Sequence, residues 1–200
     1  MTNILLFDTP EPAPIESPLR RRLKRNSELL GALFSALLAS AALLAIALVA
    51  VALFYQGELV SFGPGGLWFG RGPDVAAGRV ALSSFSAPQR LAGAFALMLL
   101  VAPAAYIFLR LRILFRLYAR GIVFSPRNAH CLRHVGLGLL AYALAPFSAN
   151  RIALLAGVGN DPSWFHLYEI QAAVLGALVF VIADVMRCAH EIEAERDGFV

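Results

Sequence analysis

Long uncharged runs of mostly apolar residues predict that the chain crosses a membrane. No charged residue occurs in 29–55, and this run exceeds the about 20 residues that a helix needs to span hydrocarbon. A second uncharged run, 91–109, is also long enough, and its Pro103 is tolerated in a membrane helix. These two runs predict two transmembrane helices.

Two further apolar runs are shorter, because Arg151 ends the first and Glu169 and Asp184 enclose the second. These charges lie near the ends of the helices that the runs would form. A charge there costs less than the ~2.5–3.5 kcal/mol that it costs at the centre of a membrane helix. The sequence therefore predicts an all-α membrane protein, a bundle of four transmembrane helices. Its predicted spans are about 29–55, 91–109, 134–156 and 167–187.

The chain divides into a tail and a membrane domain. The first apolar run is longer than the about 7–15 residues of a signal-peptide core, so we expect an uncleaved anchor. Residues 1–28 contain several prolines and a basic cluster at 20–25, and they predict a disordered cytoplasmic tail. The four-span domain then covers 29–200.

The connection between the first two spans favours a small β-hairpin. It contains Gly63-Pro64-Gly65-Gly66, followed by Leu67-Trp68-Phe69-Gly70 and later by Val80-Ala81-Leu82-Ser83. The glycine-rich part suits the turn of a hairpin that caps the outer end of the helices. These glycines lack the spacing of a dinucleotide site.

Composition excludes a soluble globular protein and a disordered one. Hydrophobic residues make up 59% of the chain, charged residues make up 15%, and the mean hydropathy is +0.70. Two cysteines are too few for a disulfide framework. The net charge of +4 and the pI near 9.5 would suit nucleic acid only if the cations shared one solvated face, so no direct nucleic-acid binding is predicted.

The distribution of Lys and Arg predicts the orientation in the membrane. With four spans, 13 of the 17 basic residues fall on the side that holds both termini and the segment 110–134. Basic residues concentrate on the cytoplasmic side of membrane proteins, which predicts that both termini lie in the cytoplasm. Trp68 and Trp164 then lie on the outer side, where aromatic belts form.

The connection 106–134 carries an arginine-rich face. Arg112, Arg116 and Arg120 recur every four residues on a helix that continues the second span, and Arg127 follows the turn. Gly121 suits the position just after a helix, and Ser125-Pro126 suits the start of the next one. The arginines can bind anionic lipid headgroups, worth about 1 kcal/mol per charge, or an acidic cytoplasmic regulatory protein. Both readings stay open.

This segment resembles a known family. The stretch Leu117-Tyr118-Ala119-Arg120-Gly121-Ile122-Val123-Phe124-Ser125-Pro126-Arg127-Asn128 and the following Leu132-Arg133-His134-Val135-Gly136 are similar to the central signature of a bacterial membrane family, domain of unknown function 2975. The acidic C-terminal segment 189–200 resembles the close of those proteins, with Glu195-Arg196 where many members have Glu-Asn. The resemblance implies four spans, an inner-membrane location and, loosely, genetic association with small helix-turn-helix regulators. It implies no catalytic residues.

Charged residues near the span ends are candidates for ion pairs. Asp184 is expected at the depth of Arg110 and Arg112, and Arg151 at the depth of Glu169 or Asp161. A structural pair that fixes helix register is favoured over a proton relay. A small transporter or ion conduit that uses Asp184 and Arg151 is the alternative function. The middles of the predicted spans contain no charged residue, which counts against transport.

Other chemistry has weaker support. His130, Cys131, His134, Cys188 and His190 are expected at the cytoplasmic ends of the last two spans, but Cys188 and His190 diverge on a helix and no Cys-x-x-Cys is present. No metal, cofactor or catalytic constellation is predicted. Rows of small residues suit packing of the helix bundle, and a homodimer through the first span is equally permitted; the rows are Gly31-Ser35-Ala39, Ala32-Ala36-Ser40 and Ala172 with Gly176. The leading hypothesis is a non-enzymatic interaction or regulatory module with a basic cytoplasmic face.

Overall fold

Four long helices dominate the part of the chain that the computed structural model describes. This part comprises residues 18–63, 66–70, 74, 78–122, 125–158 and 166–197. The helices are α1 (Pro18–Phe54), α2 (Ala87–Ala119), α3 (Pro126–Leu155) and α4 (Leu167–Asp197). Each contains a stretch that is long and apolar enough to cross a membrane. The predicted all-α architecture with four membrane-spanning helices is confirmed.

The helices extend beyond the predicted spans. α1 begins at Pro18, so the basic cluster at 20–25 is helical, although we expected it within a disordered tail. Proline is compatible with the first turn of a helix, and no further helix breaker follows before residue 54. Residues 1–17 of the predicted tail lie outside the described residues. α2 continues to Ala119, as predicted.

The helices pack in chain order. Within the described residues, extensive contacts join α1 to α2, α2 to α3 and α3 to α4. Many large apolar side chains point away from these interfaces, among them Leu43 and Ile46 of α1 and Val174 and Val181 of α4, each at least 60% exposed. In a bilayer these side chains need no protein cover, since lipid tails are as apolar as they are. The outward faces are therefore suited to hydrocarbon.

Aromatic rings and small residues hold the helices together. Phe34 of α1 stacks on Phe115 of α2 with 5.6 Å between ring centroids. Between α3 and α4, Gly136 and Gly176 face each other so closely that a Cβ built on Gly176 lies 3.1 Å from the carbonyl oxygen of Gly136. Ala172, one turn before Gly176, is also buried. This small-residue row therefore serves packing within the chain.

A three-stranded antiparallel sheet covers the end of the helices that lies opposite the α2–α3 turn. Strands β1 (Val60–Gly63), β2 (Gly66–Phe69) and β3 (Val80–Ala81) lie in the order β2-β1-β3, and Gly63 pairs with Gly66. The predicted hairpin is thus confirmed, and a third strand is added to it. Phe62 packs on Ala153 and Val158 at the end of α3. Trp68 lies in β2, whereas Trp164 falls outside the described residues.

Arg90 joins several elements at the end of the helices that carries the sheet, a role that the sequence analysis did not predict. Its guanidinium donates hydrogen bonds to four main-chain carbonyls, those of Leu53 (3.3 Å), Tyr55 (2.8 Å), Ser83 (3.4 Å) and Phe85 (3.2 Å). The last carbonyls of a helix lack partners inside the helix, and Arg90 supplies them for the end of α1. One side chain thus joins α1, the loop before α2 and the first turn of α2.

A matched pair of substitutions tests the Gly136–Gly176 contact. Gly176→Ala places a methyl group 3.1 Å from the main-chain oxygen of Gly136, so the two helices must shift slightly to admit it, and we expect it to lower the free energy of unfolding by roughly 1–3 kcal/mol. Gly93→Ala in α2 is the control, because nothing lies within 4 Å of the position that its Cβ would take. Thermal or detergent unfolding of the purified protein measures both. Equal stability of the two variants would contradict the close packing of α3 on α4.

Candidate functional site

A tightly bonded turn joins α2 to α3 at the basic end of the molecule. The main-chain N–H of Gly121 donates to the carbonyl of Tyr118 (2.9 Å), and that of Ile122 donates to Leu117 (3.1 Å). This pair of bonds is a Schellman motif, and it satisfies carbonyls that the helix end leaves open. Gly121 has φ of +79°, a conformation that glycine adopts at no steric cost. The predicted position of Gly121 after the helix is confirmed.

The second half of the turn is fixed by Ser125 and Asn128. Ser125 is the N-cap of α3, and its hydroxyl accepts a hydrogen bond from the main-chain N–H of Asn128, as the Ser-Pro pair predicts. The Asn128 side chain is fully buried, and its Nδ2 donates to the carbonyl of Ile122 at 2.8 Å. Asn128 therefore joins the two halves of the turn. The sequence analysis missed this role, for which a polar residue in the first turn of an apolar helix was the available signal.

The arginines at this end meet no carboxylate in the described part of the chain. Arg116, Arg120, Arg127 and Arg133 are exposed, and none of them forms an ion pair there. The sequence contains no Asp or Glu from 75 to 160, so α2 and α3 carry no acidic residue at all. The cations of the turn therefore have no counter-charge on their own helices.

The predicted arginine face is divided between two clefts. Arg116 and Arg120 line a cleft of about 760 Å³ between α1 and α2. Arg127 lines a second cleft of about 550 Å³ between α2 and α3, together with His130 and Cys131. Arg112 is half-buried and lines neither cleft. Arg116 and Arg120 therefore share one cleft, and Arg127 lines another.

The structure does not bring Asp184 to its predicted partners. Asp184 is exposed on α4, which packs on α3, whereas Arg110 and Arg112 belong to α2 on the other side of α3. No ion pair joins them among the described residues. The guanidinium of Arg110 lies instead 4.9 Å from the centre of the Tyr106 ring. Similar depth in the membrane did not make these charges neighbours.

Arg151 and Glu169 are also separate in the structure. The Arg151 guanidinium lies over the ring of Phe147 at 5.1 Å. Glu169 is buried at the start of α4, where its carboxylate accepts a hydrogen bond from the main-chain N–H of His166 (2.7 Å) and lies 3.5 Å from the His166 ring nitrogen Nδ1. Glu169 therefore caps its own helix. Asp161, the other predicted partner of Arg151, lies outside the described residues.

Arg151 and Asp184 lie on opposite sides of the point where α3 and α4 cross. α3 and α4 are joined by a short connection and run antiparallel, with Gly136 and Gly176 at their crossing. Counted along the helices from that crossing, the two charges are separated by roughly 35 Å at 1.5 Å of rise per residue. They cannot act on one ion or proton at a shared site.

A hydrogen-bonded chain of three rings connects α2 to α3 near the turn. The hydroxyl of Tyr106 lies 2.6 Å from Nδ1 of His134, and Nε2 of His134 lies 3.0 Å from Nε2 of His130. Cys131 is buried, Cys188 is exposed, and both are free thiols. Among the described residues no three His, Cys, Asp or Glu side chains converge as metal ligands would. The rings thus fix the register of α2 against α3.

The buried Asn128 gives a local test of the turn. We expect Asn128→Ala to remove the bond to the Ile122 carbonyl and to cost roughly 1–3 kcal/mol of local stability, because that carbonyl is then left without its donor. Hydrogen–deuterium exchange of the peptide that contains residues 117–128 should become faster. Arg127→Gln, one residue away and exposed, is the control and should leave exchange unchanged. Equal exchange in all three proteins would show that Asn128 does not hold the turn.

Comparison with known proteins identifies a family but no characterised relative. A family model described as "Protein of unknown function (DUF2975)" matches residues 70–198. No curated protein and no solved structure matches the chain. The match covers more than half of the chain and includes α2, the α2–α3 turn, α3 and α4. This four-helix chain therefore belongs to the DUF2975 family.

Proposed function

We propose that the protein is a non-enzymatic interaction or regulatory module of the bacterial inner membrane. In this proposal its basic end faces the cytoplasm and binds an acidic surface of a cytoplasmic partner. The observation that carries the proposal is the charge of α2 and α3, which hold exposed arginines at this end and no acidic residue.

Hydrogen bonds at the end of α2 and at the start of α3 support binding at this place. The Schellman bonds, the Ser125 cap and the buried Asn128 side chain all fix the main chain that carries the exposed arginines. A binding group that is already ordered loses less conformational entropy when a partner docks. The turn is therefore suited to present Arg127 and Arg133 in a defined arrangement.

The orientation in the proposal rests on the distribution of basic residues. Lys and Arg cluster at the N-terminal end of α1 and around the α2–α3 turn, which two crossings would bring to one side. Cytoplasmic segments of membrane proteins carry this excess. The cations that face the bilayer would contact anionic lipid headgroups, and those that face away from it would be free for the partner.

Arginine substitutions on α3 test partner binding with an internal control. We expect the double variant Arg127→Gln/Arg133→Gln to capture its partner roughly two- to thirtyfold less strongly, since each exposed ion pair contributes about 0.2–1 kcal/mol. Arg151→Gln is the control, because Arg151 is an exposed arginine at the opposite end of the same helix. Immobilised full-length protein, incubated with the soluble fraction of the source bacterium, is compared with both variants by quantitative mass spectrometry.

The proposal predicts which captured proteins should depend on the arginines of α3. Proteins lost with the double variant, retained by Arg151→Gln and released by added salt are the expected partners. Unchanged recovery of every captured protein by the double variant would contradict the proposed surface.

A further inference from the structure

The cleft between α1 and α2 has a rim of positive charge. Its volume is about 760 Å³, within the range of roughly 300–1,000 Å³ that small-molecule sites occupy. Lys24 from α1 and Arg116 and Arg120 from α2 line it, and all three side chains are exposed. Glu28 is the one carboxylate among the lining residues, so cations outnumber anions by three to one.

The cleft lies where α1 passes from water into hydrocarbon. Glu28 is the last charged residue before the uncharged stretch 29–57, and Gly31 and Ser35, which also line the cleft, belong to that stretch. The lining therefore changes from charged to small and weakly polar along about two turns of α1. A phospholipid has the same change along its length, from the phosphate to the glycerol and the acyl chains.

Small side chains of α1 line the cleft beside a close contact between the two helices. A Cβ built on Gly31 would have its nearest neighbour, Cβ of Phe115, at 4.0 Å, an ordinary van der Waals distance. One turn further along α1, Phe34 stacks on the same Phe115 ring and keeps the two helices in contact. The cleft therefore lies beside a packed part of the α1–α2 interface.

We infer that this cleft binds the glycerophosphate headgroup of an anionic phospholipid. Guanidinium groups hold phosphate oxygens through paired charge-assisted hydrogen bonds, and basic pockets between membrane helices on the cytoplasmic side hold lipid headgroups. The Glu28 carboxylate accepts hydrogen bonds from the hydroxyls of a glycerol headgroup, while it repels a soluble phosphate of higher charge. The inference rests on the membrane placement of the helices and not on the protein partner proposed above.

Spin-labelled lipids measure the selectivity of the cleft in the full-length protein. The protein is reconstituted in phosphatidylcholine vesicles, and the association of spin-labelled phosphatidylglycerol is compared with that of spin-labelled phosphatidylcholine. We expect the wild type to prefer phosphatidylglycerol. In Lys24→Gln/Arg116→Gln the preference should fall about fivefold for each cation removed. The control Arg22→Gln/Arg25→Gln removes two exposed charges from α1 outside the cleft and should retain the preference.

A substitution that changes the volume of the cleft but not its charge distinguishes a defined binding site from general electrostatic attraction to the protein surface. Gly31→Leu keeps every charge but fills the cleft, so we expect it to lose the preference as the charge variant does. Equal losses in the charge variant and in its control, or a folded Gly31→Leu protein with unchanged preference, would overturn the site. If soluble glycerol 3-phosphate releases the bound lipid label at stoichiometric concentration, the ligand is a soluble phosphate and the lipid assignment is wrong. Failure of the partner capture described above leaves all of these outcomes unaffected.

Discussion

Hydrocarbon offers no hydrogen-bond partners, and this constraint determines the structure. Inside a bilayer each main-chain N–H and C=O must be bonded within the protein, which is why the apolar stretches form long unbroken helices. At the end of a helix, the last main-chain groups need hydrogen-bond partners from elsewhere in the chain. Arg90 supplies donors to the end of α1, the Schellman bonds close α2, Ser125 caps α3 and Glu169 caps α4. The polar side chains with defined contacts are concentrated at these ends.

The two ends of the helix bundle differ in their charged residues. At the end opposite the α2–α3 turn a small sheet covers α3, and Arg79 pairs with Asp74 within the loop. At the other end the arginines of α2 and α3 have no acidic residue on their own helices. The cations that indicate orientation are therefore also the groups left available for lipid phosphates and for an acidic partner. The two proposals assign different parts of this end, the α1–α2 cleft to lipid and the α3 side of the turn to protein.

Local patterns in the sequence predicted the helices and strands. They did not predict the contacts between these elements. The four helices, the hairpin around Gly63 and Gly66 and the roles of Gly121 and Ser125 follow from patterns within a few residues. The four bonds of Arg90 reach residues up to 37 positions away, and nothing in its neighbourhood indicates them. Asp184 and Arg110 were paired because both were expected at the same depth in the membrane. Equal depth does not show which helices lie side by side. Glu169 is the opposite case, because its partner His166 lies only three residues away in the sequence. The sequence analysis paired Glu169 with Arg151 instead.

Labelling of single cysteines tests the central claim, that the α2–α3 turn lies on the cytoplasmic side together with both termini and opposite the small sheet. In a background where Cys131 and Cys188 are replaced by serine, single cysteines are placed at the exposed positions Asn26, Ile122 and Ser84. A membrane-impermeant maleimide is then applied to intact spheroplasts. The account predicts that position 84 reacts at once, and that positions 26 and 122 react only after the membrane is opened. Reaction of positions 84 and 122 from the same side, or of position 122 in intact spheroplasts, would contradict it.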